Sequence, residues 1–218
     1  LHICACGSAY LAGKVGAYML EEYAGVPVEI EFGSEMRYRK PIFEKNDAFL
    51  AVSQSGETAD TLASLYEAKE KEILTLGIVN AIGSTMSRET DAGVYQHIGP
   101  EVAVASTKSF VSQVAILALF TLFLGRKKNM SLVVGQRIGT ELQRLPALMD
   151  KILTQQDLIK ELADKYAGYD DLLYLGRKYN YPTALEGALK IKETTYIHAE
   201  ALCAGEMKHG SIALVNSE

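Results

Sequence analysis

The chain has 218 residues, of which 48% are hydrophobic and 22% charged, and its formal net charge at pH 7 is −5. This composition excludes a disordered or collagen-like chain, and it predicts a compact fold of one large domain or of one domain and part of another. The acidic balance argues against nucleic acid as a partner, because nucleic-acid binders carry a basic excess.

The cysteines and the longest apolar run exclude further classes. Cys4, Cys6 and Cys203 form no C-x-x-C pair and do not cluster with the histidines, so we predict no metal site. Free thiols fit a reducing, cytoplasmic location. The apolar run Val114–Leu124 is shorter than the ~20 residues that span a bilayer, so we predict one buried helix and no membrane partner.

Short apolar runs alternate with amphipathic stretches through the first part of the chain. The predicted strands are largely apolar and lie at His2–Cys6, Val28–Phe32, Ala48–Val52, Leu74–Val79 and Val94–His97. The predicted helices lie at Ser8–Ala24, Glu35–Arg39, Thr58–Glu70, Ser84–Arg88 and Thr107–Leu124. Continuous apolar strands are typical of a sheet that helices cover on both faces. The sequence therefore predicts an α/β fold with a doubly wound parallel sheet in three αβα layers.

Helical spacing without a strand signal continues over 131–167, with a break near Gln155-Gln156-Asp157. Leu172–Gly176 then repeats the theme of Ile3–Gly7, an apolar strand ending in Gly, at a spacing of about 169 residues. The final run, 211–216, predicts a strand with nothing after it, so we expect a piece of a longer protein. The predicted parts are a first domain (1–128), a helical connector (129–168) and the truncated start of a second copy (169–218).

The most informative segment is the turn that follows the buried strand Ala48–Val52. Its polar groups and its glycine are Ser53, Gln54, Ser55, Gly56 and Thr58. Hydroxyls beside the unpaired N–H groups of a helix N-terminus suit a phosphate dianion. The alternative is a plain N-terminal cap on the following helix. No Lys follows Gly56, which disfavours the nucleoside triphosphate chemistry of P-loops.

Two similar turns follow other predicted strands. They are Cys6-Gly7-Ser8 and Val104-Ala105-Ser106-Thr107-Lys108. Ligands of doubly wound sheets bind outside the carboxyl ends of the strands, so we expect the three turns to line one crevice.

The segment Ala184–Glu193 places three ionisable groups on one predicted helix. At about 100° per residue, Lys190 lies about 40° to one side of Glu186 and Glu193 about 20° to the other. A solvated salt-bridge face is the alternative, because Glu186 and Lys190 form a favourable i,i+4 pair. The helix follows a strand ending in Gly176, so its start faces the ligand side, where these groups could move protons beside a carbonyl.

His209 is a third candidate for proton transfer. It lies between Lys208 and Gly210, just before the predicted strand 211–216. Histidine is the side chain best suited to proton transfer near neutral pH, although a single loop histidine is often incidental.

In this order, the segments resemble the isomerase part of the glutamine:fructose-6-phosphate amidotransferase family, which is built from two sugar isomerase (SIS) domains. The matching stretches are Cys6–Ser8, Ser34–Tyr38, Ser53–Leu62, Val104–Lys108, Leu185–Glu193, Tyr196–Glu200 and Gly205–Gly210. They cover nearly the whole chain. The runs Ser53–Leu62 and Leu185–Gly210 are highly specific together, because other SIS proteins share the first but rarely the second.

The resemblance implies that the first SIS unit binds fructose 6-phosphate or a related sugar phosphate. The residues implied are Cys6, Gly7, Ser8, Ser53, Gln54, Ser55 and Thr58 around the phosphate, with Val104 and Ser106 at the sugar. Glu193 would shuttle a proton between C1 and C2, and Lys190 would move the hydroxyl proton. His209 would open the sugar ring from the other subunit of a homodimer. No metal or organic cofactor is implied.

In the whole enzyme of this family, ammonia released from glutamine by a glutaminase domain replaces the C2 oxygen, which gives glucosamine 6-phosphate. This sequence contains neither that domain nor the family's C-terminal tail, so we expect the chain alone to bind sugar phosphate weakly or not at all, without turnover.

Two positions depart from the family pattern. Ala9 stands where the family has a hydroxyl residue, and Ser211 stands where it has Pro. The alternatives are another SIS sugar-phosphate isomerase or deaminase, and a non-catalytic sugar-phosphate sensor. Such sensors usually carry a DNA-binding module, and the sequence shows no basic helix-turn-helix pattern.

Overall fold

The structure, a computed structural model, describes residues 1–215 and forms two compact units, Leu1–Asn129 and the residues from Met130 onward. The strands of the first unit are β1 (His2–Ala5), β2 (Glu29–Phe32), β3 (Ala48–Ser53), β4 (Leu74–Val79) and β5 (Ala92–Tyr95). Its helices are α1 (Gly7–Met19), which continues as a π-helical turn (Leu20–Ala24), α2 (Gly33–Arg39), α3 (Ala59–Glu70), α4 (Thr85–Glu89) and α5 (Lys108–Lys127).

The first unit is a parallel sheet of five strands in the order β2-β1-β3-β4-β5. Phe49 and Leu65 are buried on the face under α2, α3 and α4, whereas Leu50 and Leu117 are buried under α1 and α5. Full burial of side chains of this size contributes about 1.5–3 kcal/mol each. The predicted αβα layering is confirmed, and it explains why the inner strands are apolar on both faces.

The chain runs from β1 through α1 to β2 on one side of the sheet, and from β3 through α3 to β4 on the other. The boundary between β1 and β3 is therefore the topological switch point. Because the strands are parallel, the turns 6–8, 53–58, 80–84 and 96–107 all lie at the carboxyl edge. Doubly wound sheets bind their ligands at the switch point of this edge.

α5 packs against α1, where Gly16 leaves room for the side chain of Leu117. On its other side, Leu119 and Phe123 are 54% and 56% exposed, so the helix predicted to be buried is buried on one face only. By length and composition alone α5 could cross a membrane, with a mean hydropathy of 1.7 over its most apolar window. This is weak evidence, because core helices pass the same test.

The second unit begins with α6 (Leu132–Leu153) and α7 (Gln156–Tyr166), which are separated close to the predicted break. It continues with β6 (Asp171–Gly176), α8 (Asn180–Thr195) and β7 (His198–Cys203), and β6 pairs with β7 in parallel. This β-α-β connection repeats the arrangement of β1, α1 and β2. The predicted boundaries of a separate connector, 129–168, stay a prediction.

Two elements differ from the predicted ones. Ser211–Leu214 is a 3-10 turn and not a strand, while Asn216 lies outside the described residues. Hydrogen bonds from Ile212 N to Met207 O and from Ala213 N to Gly210 O satisfy this backbone locally. β7 is missing from the predicted strands, although burial alternates along its first four residues, as in a half-buried strand.

Candidate functional site

The turn between β3 and α3 is folded by its own hydroxyl groups. Ser53 Oγ accepts the Gly56 N–H at 3.0 Å and lies 3.1 Å from Thr58 Oγ1. Ser55 Oγ accepts the Glu57 N–H at 3.2 Å. Thr58 precedes α3, but its side chain makes no capping hydrogen bond to the helix. The geometry therefore disfavours the plain-cap alternative and leaves the N-terminus of α3 without a side-chain cap.

The turn after β4 supports this backbone from the side. Gln54 O accepts the N–H groups of Asn80 and Ala81, both at 3.1 Å, and Gly56 O accepts the Met86 N–H at 3.0 Å. These bonds join two loops that are adjacent at the carboxyl edge of the sheet. The turn 53–58, the hydroxyl turn, is therefore anchored through its main chain as well as through its own hydroxyls.

Glu57 adds a side-chain link between the same two turns. Its Oε1 accepts the Thr85 N–H, the first of α4, at 2.7 Å. This hydrogen bond lowers the pKa of Glu57, with a smaller contribution from the charge of Arg88. The carboxylate thus occupies the N-terminus of α4, where a bound anion would otherwise be favoured.

Glu101 occupies the N-terminus of α5 in a similar way. Its carboxylate accepts the Ser109 N–H at 3.0 Å and the Thr107 hydroxyl at 3.1 Å, and it also bonds the Ser109 hydroxyl. Burial alone would raise the pKa of Glu101, but the hydrogen bonds from Ser109 and Thr107 outweigh it and lower the pKa. α4 and α5 are therefore closed to an external anion, whereas α1 and α3 at the switch point have no side-chain cap.

The turn Cys6-Gly7-Ser8 lies beside the hydroxyl turn. Cys6 Sγ is 3.7 Å from Thr61 Oγ1 in the first turn of α3. Gly7 has a φ of +54°, and a Cβ built there would meet nothing within 4 Å. The structure therefore brings two of the three predicted turns together at the switch point.

The third predicted turn follows β5 and contains Val104 and Ser106. Val104 is 96% exposed and Ser106 is half-buried, whereas Ala105 between them is buried. The hydrogen bonds of Glu101 to Thr107 and Ser109 fix the end of this turn. An exposed Val104 leaves its role at the sugar a prediction.

The ionisable face of α8 belongs to the second unit. Lys190 Nζ lies 2.6 Å from Glu193 Oε2 and 3.4 Å from Glu186 Oε1. Glu186 is only 7% exposed, whereas Lys190 and Glu193 are more open. The ammonium group therefore joins a buried carboxylate to an accessible one, an arrangement in which protons can be exchanged with a ligand at the open end.

His209 is exposed in the turn that follows β7, with its N–H bonded to Glu206 O at 2.9 Å. It precedes the 3-10 turn instead of the predicted strand. A surface position suits contact with another chain, but its role in ring opening stays a prediction.

Sequence reasoning missed the anchoring roles of Glu57 and Glu101. The partner of Glu57 is 28 residues further along the chain, so no local spacing reveals the contact. The position of Glu57 between Ser55 and Thr58 was the only available signal.

Comparison with known proteins assigns the chain to the family that its sequence motifs resemble. The SIS domain family matches residues 1–123 and 166–218, more than half of the chain. The chain belongs to the SIS domain family. The C-terminal domain of glucosamine-fructose-6-phosphate aminotransferase from Francisella tularensis superposes with a TM-score of 0.95 and 41% identity, covering 99% of this chain and 62% of that one.

Two glutamine–fructose-6-phosphate aminotransferases (isomerizing) are similar over 99% of this chain, one from Chlorobaculum tepidum at 51% identity and one from Thermus thermophilus at 48%. The resemblance predicted from the sequence motifs is confirmed. The chain spans 35% and 36% of the length of these relatives.

Proposed function

We propose that the chain supplies the phosphate-binding domain and the proton-transfer helix of an isomerising glutamine–fructose-6-phosphate aminotransferase. The observation that carries the proposal is the hydroxyl turn at the uncapped N-terminus of α3, beside the switch point. The hydroxyls and the first N–H groups of α3 can donate to phosphate oxygens, and the helix dipole favours a dianion there. Fructose 6-phosphate is the ligand proposed because the similar enzymes are named for it.

The binding roles follow the predicted residues. Ser53, Gln54, Ser55 and Thr58 hold the phosphate with the turn Cys6-Gly7-Ser8, while Val104 and Ser106 contact the sugar. These residues form a phosphate cradle of hydroxyls and N–H groups, and such a cradle needs little net positive charge. This is consistent with an acidic chain of net charge −5.

The proposed chemistry converts a ketose into an aldose. Glu193 takes a proton from C1 and returns it to C2 through an enediol(amine), and Lys190 carries the hydroxyl proton. The ion pair of 2.6 Å holds the two groups together for this exchange. His209 of a second subunit opens the sugar ring, and ammonia arrives from a glutaminase domain of the whole, cytoplasmic enzyme.

The test separates binding from chemistry in the complete protein that contains this sequence. Thr58→Val removes a cradle hydroxyl, and we expect fructose 6-phosphate binding, measured by calorimetry, to weaken about tenfold, as for loss of a hydrogen bond to a charged group. Glu193→Gln removes the base, and we expect isomerisation to fall by at least about a hundredfold while binding survives.

Thr154→Val, which removes a hydroxyl at the end of α6, is the matched control for Thr58→Val and should leave both quantities unchanged. Unchanged turnover in Glu193→Gln would favour the sugar-phosphate sensor over the enzyme. Unchanged binding in Thr58→Val would count against the phosphate site itself.

A further inference from the structure

The side chain of Glu57, in the hydroxyl turn, reaches towards α4 and not into the turn. It lies between Ser55 and Thr58, both of which point their hydroxyls into the turn. Its own carboxylate bonds the Thr85 N–H at the start of α4. Glu57 and Thr58, at consecutive positions, therefore lie at the N-termini of two neighbouring helices, and only Glu57 caps its helix with a side chain.

Simple electrostatics makes a carboxylate at this position unfavourable. A phosphate dianion bound at α3 would be repelled by a negative charge one residue away from Thr58. Glu57 is also exposed, so it contributes no apolar burial that would explain its place. Some other gain must offset the repulsion.

The contact with α4 supplies that gain. The hydrogen bond from Thr85 N and the main-chain bond from Met86 N to Gly56 O at 3.0 Å hold the two turns together at adjacent residues. Arg88 lies close enough to lower the pKa of Glu57 through its charge, after the larger effect of the Thr85 bonds. The carboxylate is thus compensated on the α4 side, away from the α3 N-terminus.

We propose that Glu57 is a positioning residue for phosphate binding, which fixes the β3–α3 turn by capping α4. This rests on the proposed phosphate site at Ser53, Ser55 and Thr58. Without the cap, the turn would lose its side-chain anchor, and its hydroxyls would have to be ordered when the ligand binds.

The test is a calorimetric titration of the complete protein that contains this sequence with inorganic phosphate at fixed pH. For Glu57→Ala we expect phosphate affinity to fall at least about threefold, the effect of losing a helix cap. A purely electrostatic role predicts the opposite sign, tighter binding, because a negative charge is removed. Glu57→Gln keeps an acceptor oxygen for Thr85 N and should bind phosphate at least as well as the native chain.

A second pair of variants removes the donor and leaves the charge in place. Thr85→Pro deletes the N–H at the first helical position, where proline is tolerated, and should weaken phosphate binding as Glu57→Ala does. Thr85→Ala keeps the N–H and is its matched control. Glu70→Ala, at the far end of α3, controls for the loss of one negative charge.

The outcomes separate the two proposals. Tighter binding in Glu57→Ala, or equal affinities in Thr85→Pro and Thr85→Ala, would overturn the positioning role while the phosphate site stands. If inorganic phosphate does not bind the native protein, or binds Thr58→Val as tightly as the native protein, the proposed site itself fails. If Glu57→Ala does not fold, the comparison of Thr85→Pro with Thr85→Ala still tests the positioning role.

Discussion

Gly56 is held by two separate constraints at the centre of the hydroxyl turn. Its φ of +66° lies in the left-handed region that L residues rarely adopt. A Cβ at this position would also overlap the hydroxyl of Ser84, which is buried against the turn. The close approach of the two turns therefore depends on the absence of a side chain here.

Gly56→Ala should therefore cost more than backbone strain alone. We expect a loss of about 3 kcal/mol in the free energy of unfolding, the sum of about 1 kcal/mol for the left-handed backbone and the rest for overpacking. Gly25→Ala is the matched control, because Gly25 has a φ of +59° with nothing within 4 Å of the added Cβ. It should lose only about 1 kcal/mol. Urea unfolding of both variants measures the difference, and equal losses would show that the Ser84 contact is not formed.

The hydroxyl residues of the turn 53–58 stand out in the sequence by type and position, but the residues that support this turn do not. Ser53, Ser55 and Thr58 stand out because hydroxyls cluster directly after an apolar strand. Ser84 and Glu57 act through contacts with residues some 28 positions away, which only the packing of β3 beside β4 brings together. Local spacing carries no information about such a contact.

At the scale of elements, α5 depends on Glu101 for the order of its first turn. The pKa of Glu101 is lowered from an unperturbed 4.5, because hydrogen bonds from Ser109 and Thr107 outweigh the opposing effect of burial. A carboxyl group with a lower pKa in the folded state stabilises the protein above its unfolded-state value. This contribution is lost as the pH falls through the folded-state pKa.

Glu101→Gln keeps the shape of the side chain but weakens the charge-assisted hydrogen bonds to α5. We expect the native chain to be more stable than Glu101→Gln above pH 4.5, and the difference to shrink as the pH falls through the lower folded-state pKa. Urea unfolding at a series of pH values measures it. Glu161→Gln, on the exposed surface of α7, should not change the free energy of unfolding. A difference that does not vary with pH would mean that the charge of Glu101 is not what stabilises α5.

The inner strands of the first unit were predictable because they are mostly apolar along their length, as in Leu74–Val79, whose bounds are those of β4. The run 211–215 is equally apolar, yet it forms a 3-10 turn. A strand requires a neighbour with which to pair its N–H and C=O groups, and apolarity alone does not supply one. β7 shows the converse, since its alanines give little apolar signal but it pairs with β6.

On the scale of the whole molecule, the cores of the two units differ in the size of the side chains that they bury. The first unit buries large side chains such as Phe49, Leu20, Leu65 and Leu117 on both faces of its sheet. The core of the second consists of Ala184, Ala188, Ala199 and Ala201, with larger residues only partly buried around it. Its sheet has two strands in the described part of the chain, and such sheets are marginal by themselves.

Because stability follows the apolar area that is buried, we expect the second unit to open more easily than the first. In native-state hydrogen exchange, the amides of β6 and β7 should exchange through openings of lower free energy than those of β1, β3 and β4. The comparison is made between amides that pair across a strand ladder in each unit, so each set controls for the other. Equal protection in the two units would mean that the alanine core opens only when the whole chain unfolds, which would contradict the expectation.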